Sequence, residues 1–175
     1  MASVKELVGL GKPALPRVAE RSVTVFGAPD AVWRAWQDPE FVRRLFAPFA
    51  EVTGLGEGRL HWVVPGLDGV AWDTHVVEER PNELLRWAPS GDGLGIETQV
   101  RLRPAPADRG TVLTFSVGAA PVTGPLADTA QRLERAIVDR SLRTQVPRAF
   151  KWLFEAGEVP TLHHQPAARN GGRDP

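Results

Sequence analysis

Between residues 59 and 77 the chain alternates apolar and polar side chains with the period of a half-buried strand. Leu60, Trp62, Val64, Val70, Trp72 and Val76 hold the even positions, while Arg59, His61, Asp73 and His75 hold odd ones. A hairpin loop over 65–69 pairs Val64 with Val70 and Trp62 with Trp72, which keeps both even sets on one face; a slip of one residue would bury the charges. The same period runs from Phe49 to Val117, broken by turn clusters at 54–58, 65–69, 80–82, 89–95 and 104–110. It predicts six strands in antiparallel meander order, and Ser22 to Phe26 adds an earlier one.

Two helix-start signals follow that first strand. Pro29 with Asp30, and Asp38 with Pro39 and Glu40, place proline in the first turn with an acid at the positive end of the helix dipole. Beyond Pro121 the period lengthens: Leu126, Ala130, Leu133, Ile137, Leu142, Val146, Phe150 and Leu153 recur at mostly helical steps. These positions predict a long amphipathic helix ending at Gly157, with a break near Arg143 to Pro147 where proline removes a backbone donor. The fold class is therefore α+β, an antiparallel sheet with one face covered by a long C-terminal helix and the other left to solvent. Residues 1–20 read as a flexible leader with at most one helical turn around Val4 to Leu10, 21–161 as a single domain, and 162–175 as a disordered tail.

On the inner face the pattern places Leu60, Trp62, Val64, Val70, Trp72, Val76, Leu85, Trp87, Val100, Leu102, Leu113, Phe115 and Val117, with Thr74 and Thr98 as its only polar groups. The outer face collects Arg59, His61, Asp73, His75, Arg86, Glu97, Gln99 and Arg101.

Composition narrows the chemistry. At 175 residues, with 21 basic against 21 acidic side chains, the chain suits one domain with a full core and lacks the electrostatic footprint of a nucleic-acid binder. With no Cys there is no thiolate, disulfide or Cys-ligated metal, and with no Tyr any acid–base work falls to His, Asp, Glu, Lys, Arg or water. No apolar run is long enough to span a membrane, so a cytoplasmic protein without stable membrane insertion is expected, as a monomer or homodimer.

The set of motifs from Gly27-Ala28-Pro29-Asp30-Ala31-Val32-Trp33-Arg34-Ala35-Trp36 and Asp38-Pro39-Glu40-Phe41, through His61-Trp62-Val63, Ala71-Trp72-Asp73, Val77-Glu78-Glu79-Arg80-Pro81-Asn82-Glu83-Leu84-Leu85-Arg86-Trp87, Gly110-Thr111 and Phe150-Lys151, to Gly157-Glu158-Val159-Pro160-Thr161 resembles the polyketide cyclase/dehydrase branch of the START/Bet v 1-like (SRPBCC) superfamily. The resemblance implies a helix-grip fold, a curved seven-stranded antiparallel sheet around a long C-terminal helix, with two short helices closing one end of a hydrophobic cavity. It further implies binding of a lipid, quinone, polyketide or similar molecule, or cyclase/dehydrase chemistry in the same cavity, without a metal or organic cofactor.

The residues expected to meet such a ligand are Trp36, Leu60, Trp62, Trp72, Thr74, Trp87, Thr98, Leu113, Phe115 and Phe150. Trp62, Trp72 and Trp87 read either as an aromatic wall for a planar ligand or as ordinary core. His61, Asp73 and His75 share a face, but cross-strand positions on a wet sheet converge poorly on a metal, and no metal site is expected. His163 and His164 fall in the tail. No nucleophile elbow, phosphate loop, zinc motif or dinucleotide fingerprint occurs. For an enzyme, Glu78 at the cavity rim, or Arg86 if its strand slips by one, are the charged groups within reach. A carrier of a hydrophobic ligand is the preferred reading.

Overall fold

A computed structural model describes residues 19–66, 69–91, 95–119, 124–138 and 140–157, apart from the side chains of 119 and 136–144. The leader to residue 18, including the turn expected at Val4 to Leu10, and the tail with His163 and His164 lie outside these residues.

Strand β1 (Ala19–Val25) leads into helices α1 (Pro29–Gln37) and α2 (Pro39–Phe46). Strands β2 (Glu51–Gly56), β3 (Arg59–Val63), β4 (Ala71–Arg80), β5 (Leu84–Pro89), β6 (Ile96–Pro104) and β7 (Thr111–Ala119) follow, then helices α3 (Ala127–Val138) and α4 (Arg140–Ala156). All strands join one antiparallel sheet in the order β1-β7-β6-β5-β4-β3-β2. The first strand starts at Ala19, three residues before the expected Ser22, and ends at Val25, one residue before the expected Phe26. At the α1–α2 junction the Asp38 carboxylate accepts from the Glu40 amide at 2.9 Å with Pro39 just behind it, the predicted cap.

The hairpin register is the one its alternation predicts. Trp62 opposes Trp72, and the Val64 amide donates to the Val70 carbonyl at 3.1 Å. The inner row of β5, β6 and β7, from Leu85 and Val100 to Phe115, is buried and belongs to one core cluster.

Three expectations change. Helix α4 runs continuously through Pro147, so the break expected near Arg143 to Pro147 is absent from it. Proline within a helix costs roughly 3 kcal/mol, less than the several buried side chains around it contribute at about 1.5–3 kcal/mol each: Val146, Phe150 and Leu153 are almost fully buried. Leu126, expected to begin the inward stripe, sits in a 3-10 turn and is exposed, whereas Leu133 is buried.

The second change is a β-bulge in β4, where Val76 opposes Trp87 but Glu78 opposes Arg86. The extra residue reverses facing beyond it, so Glu79, opposite inward Leu85, takes the position expected of Glu78. Arg86 keeps its unslipped register and faces outward.

The third concerns the outer face, which is not uniformly wet. His61 and Asp73 side chains are 40% and 46% exposed, but those of Arg86 and Glu97 are only 8% and 16% exposed and pair at 2.8 Å.

Candidate ligand site

The inner face meets the helices in two different ways along its length. At one end Phe46 of α2 stands edge-on to Trp62, with ring centroids 4.9 Å apart, and Trp62 stacks on Trp72 at 5.9 Å. The Trp62 indole donates to Thr74 Oγ1 at 3.0 Å, satisfying a buried N–H that could not be left alone cheaply. Gly95 closes the same end, because a Cβ there would collide with Pro89 and Trp72. The space left among Phe46, Phe49, Trp62, Trp72, Ile96 and Thr98 is about 20 Å³, enough for one water.

Trp36 fills the middle. It stacks on Phe150 of α4 at 4.9 Å, lies parallel to Phe115 at 6.0 Å, and tilts against Trp87 at 6.2 Å. This aromatic column ties α1, the sheet and α4 together.

Beyond Trp36 the face opens into a recess of about 420 Å³ between the α1–α2 junction and strands β3, β4 and β5. Its apolar surface comes from Trp36, Val42, Leu60, Val76, Leu85 and Trp87. The β2–β3 turn forms one lip through Gly56, Glu57 and Gly58, all with positive φ, and a Cβ on Gly58 would lie 3.0 Å from Val76 Cγ2. Glycine at 58 thus serves both the left-handed backbone and the close approach. Across the mouth, Gln37 Nε2 of α1 donates to Glu79 Oε1 of β4 at 2.9 Å. The recess combines an apolar floor with a charged rim of Glu57, Arg59 and Glu79.

Of the expected ligand residues, Trp36, Leu60 and Trp87 meet in this recess, whereas Trp62, Trp72 and Thr98 line the water-sized space. Thr74, Leu113, Phe115 and Phe150 are buried and line neither. Gln37, Val42 and Glu79 were not among the sequence candidates. Helical spacing places Val42 inward with Leu45, but nothing local marks the bulge that turns Glu79 to the recess.

On the outer face His61 Nδ1 meets Asp73 Oδ1 at 2.6 Å, while His75 Nδ1 meets Ser90 Oγ at 3.1 Å. The two histidines therefore engage different partners, and among the described residues no group of three or more metal-ligating side chains is assembled. One carboxyl with a displaced pKa, Glu40 on α2, is held below its usual value by the hydrogen bond from Arg43, a surface feature of the helix and not of the recess. No helix among the described residues is long and apolar enough to cross a membrane.

Solved structures share the architecture at low identity. A protein from Deinococcus radiodurans superposes with TM-score 0.56 at 20% identity, over 81% of this chain and 100% of its own. One from Mesorhizobium loti gives 0.54 at 16%, over 82% and 100%. The Aha1 dimer from Colwellia psychrerythraea gives 0.51 at 14%, over 81% and 98%. No curated protein matches the chain in sequence. The family model described as polyketide cyclase / dehydrase and lipid transport matches residues 16–148. With that match spanning most of the sheet and its helices, the chain belongs to the polyketide cyclase/dehydrase and lipid transport family, of the SRPBCC type.

Proposed function

We propose that the protein binds a hydrophobic small molecule in the recess between the α1–α2 junction and strands β3 to β5. The observation that carries this reading is the recess itself. Its volume of about 420 Å³ falls in the range of small-molecule sites, about 300–1,000 Å³, and its floor is lined by Trp36 and Trp87 beside Leu60 and Leu85. A ring-bearing ligand gains the burial of its own apolar area there while a polar end stays at the rim with Arg59 and Glu79. The test is titration with 1-anilinonaphthalene-8-sulfonate followed by fluorescence. Saturable binding that is lost in Val76→Trp supports the reading; non-saturating uptake, or uptake unchanged by that filled recess, overturns it.

A second reading, cyclase- or dehydrase-type chemistry at the same place, is favoured by one observation: the Glu79 carboxylate stands at the rim with one oxygen engaged by Gln37. A carboxylate so placed can take a proton from carbon beside a ketone. The measurement is deuterium exchange at the α-carbons of 2-tetralone, followed by proton NMR. The enzyme reading predicts catalysed exchange that Glu79→Gln removes while dye binding persists; no acceleration over buffer counts against it.

A further inference from the structure

The end of the sheet around the β4–β5 turn carries a charge pattern that the recess does not use. Arg80 opposes Leu84 and Leu84 opposes Arg101, so the two arginines share one cross-strand row on the outer face. Arg103 is the next residue of β6 with that facing, about 7 Å farther along the strand. Continuing the β5–β6 register past Leu84 brings Asn82 level with Arg103. An open groove of about 830 Å³ is lined by these residues together with Pro29 and Asp30 of α1, and it shares no residue with the recess. Its turn is a closed one: the Glu83 amide donates to the Arg80 carbonyl at 3.0 Å, with Pro81 and left-handed Asn82 (φ 62°) at the central positions.

Charges around the groove do not cancel. Arg86, on the same face, is matched by Glu97 at 2.8 Å, and Arg80 faces Glu78 at 3.5 Å. Arg101 and Arg103 have no ion-pair or hydrogen-bond partner among the described residues, and their neighbours on β7 are the uncharged Thr114 and Val112. Of the two acids in the groove, Asp30 is held by Arg34 at 2.9 Å. Glu83 stands level with inward-facing Leu102, whose amide donates to the Glu83 carbonyl at 2.8 Å, so it alternates away from the arginine face. The chain as a whole is neutral, with 21 charges of each sign, which makes this excess local. Two like charges on one strand face repel, and an anion with several oxygens removes the repulsion while accepting forked N–H contacts from both guanidinium groups. We propose that this groove binds a phosphate-bearing ligand, with Arg101 and Arg103 as its principal contacts and Arg80 and Asn82 at its flank. Two planar forks mounted about 7 Å apart suit the many oxygens of a diphosphate better than the two of a single carboxylate.

The test is calorimetric titration of the full-length protein with inorganic pyrophosphate at low salt, with acetate as the comparison anion. Saturable binding is expected for pyrophosphate and not for acetate, weakened about tenfold or more in Arg101→Gln and in Arg103→Gln. Arg148→Gln, which removes one exposed charge from α4, should leave it unchanged. Both groove variants should keep the wild-type melting temperature and the wild-type binding of dye at the recess, so the two sites are scored separately. Sedimentation with vesicles of phosphatidic acid in phosphatidylcholine distinguishes the sources of the phosphate. Pyrophosphate binding without sedimentation assigns a free phosphate compound, and sedimentation that needs Arg101 and Arg103 assigns a lipid headgroup. Equal affinity for acetate, equal weakening in all three variants, or no arginine-dependent binding of either phosphate probe overturns the proposal.

Discussion

The two ends of the inner sheet face are built from the same kinds of residue and have opposite fates. Around Trp62 and Trp72 the space is about 20 Å³; around Leu60 and Val76, along the same strands, it is about 420 Å³. The difference lies in what stands opposite. Phe46 and Phe49, at and just past the end of α2, press onto the first end, whereas over the second the chain turns between helices through Gln37, Asp38 and Pro39. A turn made of polar and cyclic side chains cannot fill the space that two phenylalanines fill. An apolar sheet face therefore becomes core or cavity according to the element above it.

The sharpest way to break the contrast is to empty the closed end. Phe46→Ala should cost about 3–5 kcal/mol in urea unfolding, the usual range for deleting a buried aromatic ring. The matching experiment adds bulk at each end. Val117→Phe, beside the water-sized space, should destabilise by about 1–3 kcal/mol through overpacking. Val76→Trp, at the recess, should change stability by less while abolishing dye binding, because its ring enters open volume. If both additions cost the same, the contrast between the ends is lost. A smaller effect is expected from Gln37→Ala, which frees Glu79 and removes one tie across the mouth, at about 0.5–1 kcal/mol in the same unfolding assay.

Smallest is the response of α2 to pH. Glu40 has a lowered pKa in the folded chain because Arg43 donates to it. Its contribution is thus complete above the pKa of the unfolded chain and is lost as pH falls through the lower folded value. Glu40→Gln should show a slight deficit in melting temperature at neutral pH that disappears in acid. A deficit of constant size across that range would mean the glutamate acts by packing and not by charge.

Much of this architecture is legible in the chain. Alternation and the length of the loop after Val64 set the Trp62–Trp72 pairing, and Asp38 with Pro39 announces the start of α2, because both signals act over a few neighbouring residues. The bulge at Val76 to Glu78 is different. Val76-Val77-Glu78-Glu79 reads equally well as a regular strand end, and the reversal that carries Glu79 to the recess is decided by pairing with Leu85 and Arg86 on another strand. Pro147 misleads for a related reason: local stereochemistry argues for a break, and the buried contacts of Val146 and Phe150 outweigh it. The recess is least legible of all, since the inner-face inventory names its floor but not the junction that arches over it.

The pairing of β1 with β7 has a consequence for how the molecule comes together. Val23 meets Leu113 and Arg21 meets Phe115, contacts across about half the chain, while β2 through β6 pair only with their neighbours in sequence. Hairpins between adjacent strands form with short loop closures, whereas the β1–β7 seam must wait for a long one. Because α4 packs on β1 and β7, the grip of that helix depends on the same late closure. The recess draws on α1, α2 and β2 to β5, so its walls belong to the local part of the fold, and the seam and final helix close around them.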